Sequence, residues 1–410
     1  MSIFIIFLMF LSCGNFDNDP QNWDIFCYMA GDNDIHSESF NSLMKFVNNS
    51  WKSERVNVMF MCDGINKKNE DDMGLAGYYV LDDGNARSVK ALGNIDSSST
   101  DSFRNFIDYF CDKSNAKHCA LVLWGHGDDL PIYSSDNMRP FLPDGSTGMT
   151  FQELVESINY LSEKRGRETD IVIFDACRGA YGELAMEISG KYLISSQETQ
   201  AGASLNYGGI IKYLIKNRDV DPKTFAEKSV RLYKEYYEED IHKEYISEAL
   251  IKSNDCISAI DIHKFKELNL HFISFYNLVD EAITMEYLDK GEIKRVIEES
   301  YVLGSGQLRG IPKGIDLLKF IFKMEILLNG KEECSLLREK VKYLFQNLKG
   351  EVILSNYSRI DEGLDLQDRG LNGLSVRNIP FHLNGGDAIS YSFINDNGED
   401  LWKKFVLDIA

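Results

Sequence analysis

Short apolar runs, each about as long as a β-strand, recur through the first half of this 410-residue chain. They alternate with segments whose apolar residues repeat at helical spacing, a pattern typical of a largely parallel sheet covered by helices on both faces. The predicted strands are 25–29, 56–61, 78–81, 120–124, 171–174 and 192–194, and the predicted helices are 37–47, 102–111, 151–161, 180–188 and 208–215. Thr150, with Glu153 three residues later, predicts a capping box at the start of the third helix. We therefore expect an α/β domain over residues 23–220.

The chain changes character after Pro222, where long helical periodicity dominates. Apolar stripes that include Phe265, Phe272 and Val279, and later Leu317 and Met324, indicate core-facing sides of helices. Further strands are predicted at 351–355 and 391–394. We expect residues 221–410 to form a helical and C-terminal region that packs on the first domain.

The N-terminus carries a continuous apolar run over residues 3–11. Nine residues are too few for a membrane-spanning helix, which needs about 20, but they fit the apolar part of a secretory signal. Leu11-Ser12-Cys13-Gly14 resembles a bacterial lipobox, although Phe10 replaces the usual Leu. We expect a signal peptide at 1–12, lipidation of Cys13, a tether at 13–22 and a lipid-anchored protein of the bacterial cell envelope. The alternatives are a buried N-terminal strand or an artefact of the chosen start site.

Charge and cysteine content narrow the classes of function. With 44 Lys and Arg against 64 Asp and Glu, the formal charge is −20, which disfavours strong nucleic-acid binding. The eight cysteines show no C-x-x-C and no paired His spacing, so neither a disulfide framework nor a zinc site is indicated. Asp32-Asn33-Asp34 lacks the spaced ligands of a calcium loop, and a role in a turn is favoured. We expect no metal and no cofactor.

Polar residues follow two of the predicted strands directly. Strand 120–124 continues into Gly125-His126-Gly127, and strand 171–174 into Asp175-Ala176-Cys177. Ligands and catalytic groups collect at the carboxyl ends of the strands in such sheets. A nucleophilic Cys needs a base, a positive neighbour or a helix N-terminus to favour its thiolate. Cys177 precedes a predicted helix, and His126 is the candidate base.

These residues carry a resemblance to a known family. Asp-Ala-Cys-Arg-Gly at 175–179, with His126-Gly127 about 50 residues upstream, resembles the caspase-type signature in which Gln-Ala precedes the Cys. Asp in place of that Gln is typical of the clostripain family of caspase-like cysteine peptidases. Other segments that resemble this family are 23–34, 144–154, 192–207 and 373–380, followed by Trp402 and Phe405. The resemblance covers nearly all of the chain after the predicted signal, and implies a caspase-like, mostly parallel sheet covered by helices.

The resemblance implies a cysteine endopeptidase that acts on peptides or proteins. Cys177 would attack the scissile carbonyl and His126 would protonate the leaving amine. Backbone N–H groups of Gly127 and Cys177 would hold the oxyanion. Asp175 would lie by the pocket for the residue before the cleaved bond (P1), where it would pair with Arg or Lys.

Several positions depart from the family pattern. Asn206 stands where many relatives carry an acidic residue, Arg178 replaces an apolar residue, and Asp128-Asp129 follows the His126 turn. A planar guanidinium bridges one carboxylate and one amide oxygen better than a point charge does, so we expect P1 Arg over Lys.

Self-cleavage between His126 and Cys177 is a further expectation. The first candidate is Arg139, in a stretch that also holds Pro131, Pro140 and Pro143. The second is the basic run at 164–167, between a predicted helix and the Cys177 strand. Exposed loops are preferred cleavage sites.

Two other classes of function stay open. The departures would also suit a surface-anchored binding protein that keeps the fold without turnover. A nucleotide-binding α/β protein is a weak alternative, because Gly304-Ser305-Gly306 with Gly310 lacks the strand and helix context and no phosphate-binding loop motif occurs.

Overall fold

A computed structural model describes residues 22–31, 56–63, 76–82, 85–114, 116–127, 141–144, 147–198, 200, 205–238, 256–302, 314–358, 371–377 and 401–409. The predicted helix at 37–47 and the predicted strand at 391–394 lie outside these residues. So do Cys13, Arg139, the 32–34 cluster and the glycines around 304–310.

The strands, numbered along the chain, are β1 (Trp23–Met29), β2 (Val56–Cys62), β3 (Ala76–Asp82), β4 (Asn85–Gly93), β5 (His118–Trp124), β6 (Phe141–Asp144), β7 (Thr147–Met149), β8 (Thr169–Asp175), β9 (Gly190–Ser195), β10 (Cys256–Asp261), β11 (Tyr301–Val302), β12 (Gly314–Asp316), β13 (Ile353–Ser358) and β14 (Ser375–Arg377). The helices are α1 (Thr100–Cys111), α2 (Phe151–Arg165), α3 (Gly182–Glu187), α4 (Tyr207–Lys216), α5 (Pro222–Glu238), α6 (Ile262–Glu267), α7 (Asn269–Thr284), α8 (Lys290–Glu299), α9 (Leu317–Leu327), α10 (Ser335–Asn347) and α11 (Leu401–Ile409).

A nine-stranded central sheet organises the described residues, in the order β13-β10-β9-β8-β5-β1-β2-β3-β4. The central strands β2, β1, β5, β8 and β9 are parallel, and the strands added at both edges are antiparallel. Trp124 at the end of β5 pairs with Met29 of β1 and with Asp175 of β8, so the carboxyl ends of these three strands meet at one edge. The predicted α/β fold with a mostly parallel sheet is confirmed.

Helices cover both faces of this sheet. Successive residues of a strand point to opposite faces, so Val172 and Phe174 pack with helices α1, α2 and α3 on one side. Ile171 and Ile173 pack with α4 and α5 on the other. This double burial explains why the central strands read as continuous apolar runs. None of the helices in the described parts of the chain is both long and apolar enough to cross a membrane.

The capping box at Thr150 is present, with reciprocal hydrogen bonds between Thr150 and Glu153 at the start of α2. Strands β4 and β10 were not predicted from the sequence. Strand β4 is an edge strand with mostly exposed or half-exposed residues, so it has no apolar run to detect.

The region after residue 221 does more than pack on the first domain. It contributes β10 and β13 to the central sheet and also forms a small three-stranded sheet, β11-β12-β14. The two regions therefore share one sheet.

Candidate active site

His126 and Cys177 follow two neighbouring parallel strands. His126 lies two residues after the end of β5, and Cys177 two residues after the end of β8. The backbones of the two turns touch: a Cβ atom built on Gly127 would lie 2.0 Å from the carbonyl oxygen of Cys177 and 2.8 Å from its nitrogen. Only glycine permits this approach. The structure thus brings the His126 turn and Cys177 together, and both residues are partly exposed.

A supporting loop, defined here as residues 196–198 and Gln200, holds the backbone around Cys177. The N–H of Arg178 donates to the carbonyl of Glu198 (3.0 Å), and that of Ala180 to the carbonyl of Ser196 (2.9 Å). The N–H of Gln200 points at the Cys177 Sγ at 3.4 Å, whereas the Gln200 carbonyl, which could accept from the thiol, is 4.0 Å from Sγ. A donor in this position favours the thiolate over the thiol.

Two non-glycine residues with left-handed backbone flank the site. Arg178, directly after Cys177, has a φ of 55°, and Leu142 has a φ of 48°. The N–H of Leu142 donates to the carbonyl of His126 (3.1 Å). Such conformations are strained and are often found at functional sites, where surrounding structure enforces them.

The expected helix dipole at Cys177 is not supported by the structure. The predicted helix 180–188 is observed only as the six-residue α3, which begins at Gly182, five residues after Cys177. The hydrogen bond between Ala180 and Ser196 occupies the segment where the first turn was predicted. The groups that lie closest to the Cys177 backbone and sulfur are therefore the His126 turn and the supporting loop.

Asp175 is a buried carboxylate at the end of β8, 4% exposed. Its Oδ2 accepts hydrogen bonds from the Tyr207 hydroxyl and from the N–H of Leu205 (3.4 Å). The carboxylate lies near Cys27, whose pKa is raised well above its usual value by burial and then by the charge of Asp175. These contacts place Asp175 toward the side of the sheet that α4 and α5 cover.

Asn206 lies between the two residues that donate to Asp175. Its Oδ1 accepts the N–H of Gly209 (2.9 Å), so the side chain caps the N-terminus of α4. The sequence pattern did not predict this capping role, and it assigned no role to Leu205, Tyr207 or Gln200. The cap could have been predicted, because a helix was expected from residue 208 and Asn is a preferred residue directly before a helix.

A second His-Cys pair, His118-Cys119, occurs at the opposite end of β5. Neighbouring residues of a strand point to opposite faces. Cys119 is buried and its pKa is raised by that burial, while Nδ1 of His118 lies 3.5 Å from Asp170. This geometry does not suit a nucleophile and its base.

In the described parts of the chain, no group of three or more His, Cys, Asp or Glu side chains is arranged to hold a metal ion.

Known proteins share the sequence family and the fold of this chain. The sequence model of the clostripain family matches residues 27–299. A search of curated proteins found no match. Among solved structures, a secreted cysteine protease from Bacteroides thetaiotaomicron in complex with an irreversible peptide inhibitor is 16% identical, with a TM-score of 0.61 over 90% of this chain and 95% of that one.

A second structure of a secreted protease from Bacteroides thetaiotaomicron is 13% identical, with a TM-score of 0.62 over 94% of this chain and 99% of that one. An inactive zymogen protease from Parabacteroides distasonis is 15% identical, with a TM-score of 0.56 over 87% and 92%. At such identities the likeness shows the fold, whereas the family match spans most of the sequence. The chain therefore belongs to the clostripain family, and it is a clostripain-like cysteine peptidase.

Proposed function

We propose that the protein is a cysteine endopeptidase in which Cys177 is the nucleophile and His126 transfers the proton. The observation that carries the proposal is the contact between the Gly127 and Cys177 backbones at neighbouring strand ends. The N–H of Gln200, directed at Sγ, supports a thiolate there.

In this mechanism the thiolate of Cys177 attacks the scissile carbonyl, and a carbon–sulfur bond forms while the carbonyl electrons move to oxygen. The backbone N–H groups of Gly127 and Cys177 stabilise the oxyanion. Collapse breaks the carbon–nitrogen bond as protonated His126 gives its proton to the leaving amine. Water, deprotonated by His126, then hydrolyses the thioester and regenerates the thiolate.

For specificity, we propose that Asp175 and Asn206 select a basic residue at P1, Arg over Lys. Leu205 and Tyr207, the residues on either side of Asn206, both donate to Asp175, and this supports a position of Asn206 near the carboxylate. Oδ2 of Asp175 is already hydrogen-bonded, so the attraction for a basic side chain rests on its buried charge. A buried carboxylate attracts a cation strongly because little water screens it.

The proposed signal peptide and the lipid anchor at Cys13 rest on the sequence of residues 3–14. Anchoring through that lipid is the only membrane contact that we propose. We propose no nucleic-acid partner. Mass spectrometry of native protein tests the anchor: we expect a lipidated N-terminal Cys13. An unmodified N-terminus at Met1 would exclude it.

We also propose self-cleavage after Arg139. The described chain leaves the site at Gly127 and returns to it at Leu142, which donates to His126, so the intervening segment starts and ends at the proposed dyad. The run at 164–167 is less suitable, because Lys164 and Arg165 belong to α2 and Arg165 forms a buried ion pair with Asp24. We expect Arg139→Ala to prevent cleavage in this segment. Wild-type protein that stays intact while active would show that cleavage is not required.

The central experiment measures cleavage of a peptide library by wild type, Cys177→Ala and His126→Ala. We expect Cys177→Ala to abolish turnover with the fold intact, and His126→Ala to reduce it by about 10²- to 10⁴-fold, the usual contribution of a proton-transferring residue. Full activity of Cys177→Ala would disprove the nucleophile assignment. A thiol-reactive probe tests the alternative of a binding protein without turnover, since rapid labelling at Cys177 supports the enzyme and inertness supports the binding protein.

A further inference from the structure

A buried polar network attaches the supporting loop to the C-terminal region of the chain. The side-chain Nε2 of Gln197 donates to Asp316 Oδ2 (3.2 Å) and to Ser375 Oγ (3.0 Å). Its Oε1 accepts the N–H of Gly373. Asp316 Oδ2 also accepts the N–H of Asn372 (2.7 Å). Gln197, Asp316 and Ser375 are each at most 2% exposed.

This network lies one residue away from the bonds that fix the Cys177 backbone. Gln197 stands between Ser196 and Glu198, whose carbonyls accept the N–H groups of Ala180 and Arg178. The same loop continues to Gln200, whose N–H points at Sγ. A shift of Gln197 therefore changes the backbone after Cys177 and the donor at its sulfur together.

Asp316 has the chemistry to fix Gln197 in one orientation. Its Oδ1 accepts the N–H of Lys319 (2.9 Å) and caps α9, which leaves Oδ2 for Gln197 and Asn372. Both named partners of Oδ2 are donors, so the carboxylate accepts from each of them, although burial raises the pKa of Asp316 above its usual value. Gln197 cannot turn its amide around without losing the N–H of Gly373. An isolated buried carboxylate is costly, which makes this complete set of donors significant.

We infer that Asp316, acting through Gln197, is a positioning residue for the nucleophile Cys177. It lies beyond the segment that the family model matches, which ends at residue 299. The inference rests on the proposed role of Cys177. Its consequence is that the C-terminal region helps to set the reactivity of the thiol as well as stabilising the fold.

The test is Asp316→Asn, compared with Asp261→Asn. The first variant keeps an oxygen for the cap of α9 but turns an NH₂ group toward the donors of Gln197 and Asn372. Asp261 is a matched control, because it also ends a strand and caps the next helix, with its Oδ1 accepting the N–H of Lys264 (2.9 Å). No contact links it to the supporting loop in the described residues.

The measurements are the rate of Cys177 alkylation by iodoacetamide against pH, followed by peptide mapping, together with kcat, KM and Tm. We expect Asp316→Asn to slow alkylation and to lower kcat by about tenfold, roughly the loss of one hydrogen bond to a charged group. The alkylation profile should shift to higher pH, with KM little changed. Asp261→Asn should affect Tm alone. In the double variant Gln197→Glu with Asp316→Asn, the new amide at position 316 can donate to the new carboxylate at position 197. This variant should recover part of the lost alkylation rate and kcat.

An alkylation profile and a kcat of Asp316→Asn equal to those of wild type would overturn the inference. If that variant does not fold, Gln197→Met removes the link from the loop side and keeps the α9 cap, with the same expected results. Retained activity of Cys177→Ala would instead refute the proposed function. The alkylation profile at Cys177 would still report on positioning in that case, so the two failures are distinguishable.

Discussion

The distance between two backbones determines the residue at position 127. The three atoms nearest to a Cβ built at this position are all backbone atoms: the peptide oxygen, nitrogen and carbon of Cys177 lie within 3 Å. These Cys177 backbone atoms cannot move aside as a flexible side chain can, because the sheet holds them on one side and the supporting loop on the other. Glycine here is a requirement of the site rather than of a turn.

We therefore predict that Gly127→Ala lowers kcat/KM by at least about 10²-fold, the loss that a misplacement of about 1 Å at a reacting group can cause. The control is Gly166→Ala at the end of α2, where φ is 64° and no atom lies within 4 Å of the added Cβ. That change should lower Tm and leave kcat/KM unaltered. Equal activity of Gly127→Ala and wild type would show that the two turns separate in solution.

A second prediction at this scale concerns Asn206. Asp caps a helix as well as Asn does, so Asn206→Asp should preserve α4 while adding a charge beside Asp175. Binding of a P1 Lys ammonium depends mainly on the charge of the pocket. Binding of a P1 Arg guanidinium depends also on the geometry of its hydrogen bonds. We expect turnover of P1-Lys substrates to rise more than that of P1-Arg substrates. Asn206→Ser, which caps without charge, is the control, and an unchanged Lys-to-Arg ratio would place Asn206 outside the pocket.

Among the elements, the central strands were predictable because burial on both faces makes them continuously apolar, as in Ile171–Ile173 of β8. The ends of β5 and β8 were predictable for the same reason, since polar residues begin where the apolar runs stop. The supporting loop was not predictable. Its role depends on hydrogen bonds between Arg178 and Glu198 and between Ala180 and Ser196, and no spacing rule in the sequence identifies such pairs. Helix α3 was predicted too long because the same bonds replace its first turn.

At the other end of the strands, Asp170 joins β5, β8 and β9. Its carboxylate accepts the N–H of Cys119 (3.0 Å) and the ammonium of Lys191 (2.7 Å). Burial alone would raise the pKa of Asp170, but the nearby His118 ring, the hydrogen bonds and charge of Lys191, and the N–H of Cys119 outweigh it and lower the pKa of Asp170 below its usual value. A carboxyl whose folded pKa is lowered stabilises the fold above its unfolded pKa, and this contribution disappears as the pH falls through the folded pKa.

We predict that Asp170→Asn lowers the free energy of unfolding by about 1.5–3 kcal/mol at neutral pH, the range for a hydrogen bond to a charged group. The difference from wild type should shrink as the pH falls through the lowered pKa, measured by urea denaturation at a series of pH values. Asp82→Asn is the control, because its ion pair with Arg87 is 60% exposed on both sides and should contribute little. If the difference in the free energy of unfolding between Asp170→Asn and wild type does not depend on pH, the loss of stability comes from altered packing and not from the charge of Asp170.

At the scale of the whole molecule, the C-terminal region completes the catalytic sheet. Strand β13 pairs with β10 and closes that edge of the sheet, while β14 pairs with β12 and bonds through Ser375 to Ala180. From the sequence, this region was expected to be a helical and C-terminal region that packs on the first domain. The strand pairing was not predictable, because β10 is only six residues long and its partners β9 and β13 are both distant in the chain, β9 well before it and β13 well after it.

This arrangement leads to a prediction about truncation at residue 299, where the match to the family model ends. Removing residues 300–410 would leave the β10 edge unpaired, and an exposed edge strand promotes aggregation. It would also uncover the core of the C-terminal helices, where the fully buried Trp402 packs against Phe320 and Tyr276 with ring centroids 5.7 and 5.9 Å apart. We therefore expect the 1–299 fragment to aggregate or to lack cooperative unfolding.

A milder change separates folding from catalysis in this part of the molecule. Trp402→Ala removes the same aromatic packing without opening the sheet edge, and should lower the free energy of unfolding by about 3–5 kcal/mol, as large aromatic truncations in cores do. Because Trp402 is not part of the network around Gln197, kcat of the folded fraction should stay at the wild-type value, whereas Asp316→Asn should lower it. Thermal unfolding and active-site titration on the same samples make the comparison direct. A 1–299 fragment that unfolds cooperatively and cleaves substrate at the wild-type rate would contradict both the structural and the positioning roles of the C-terminal region.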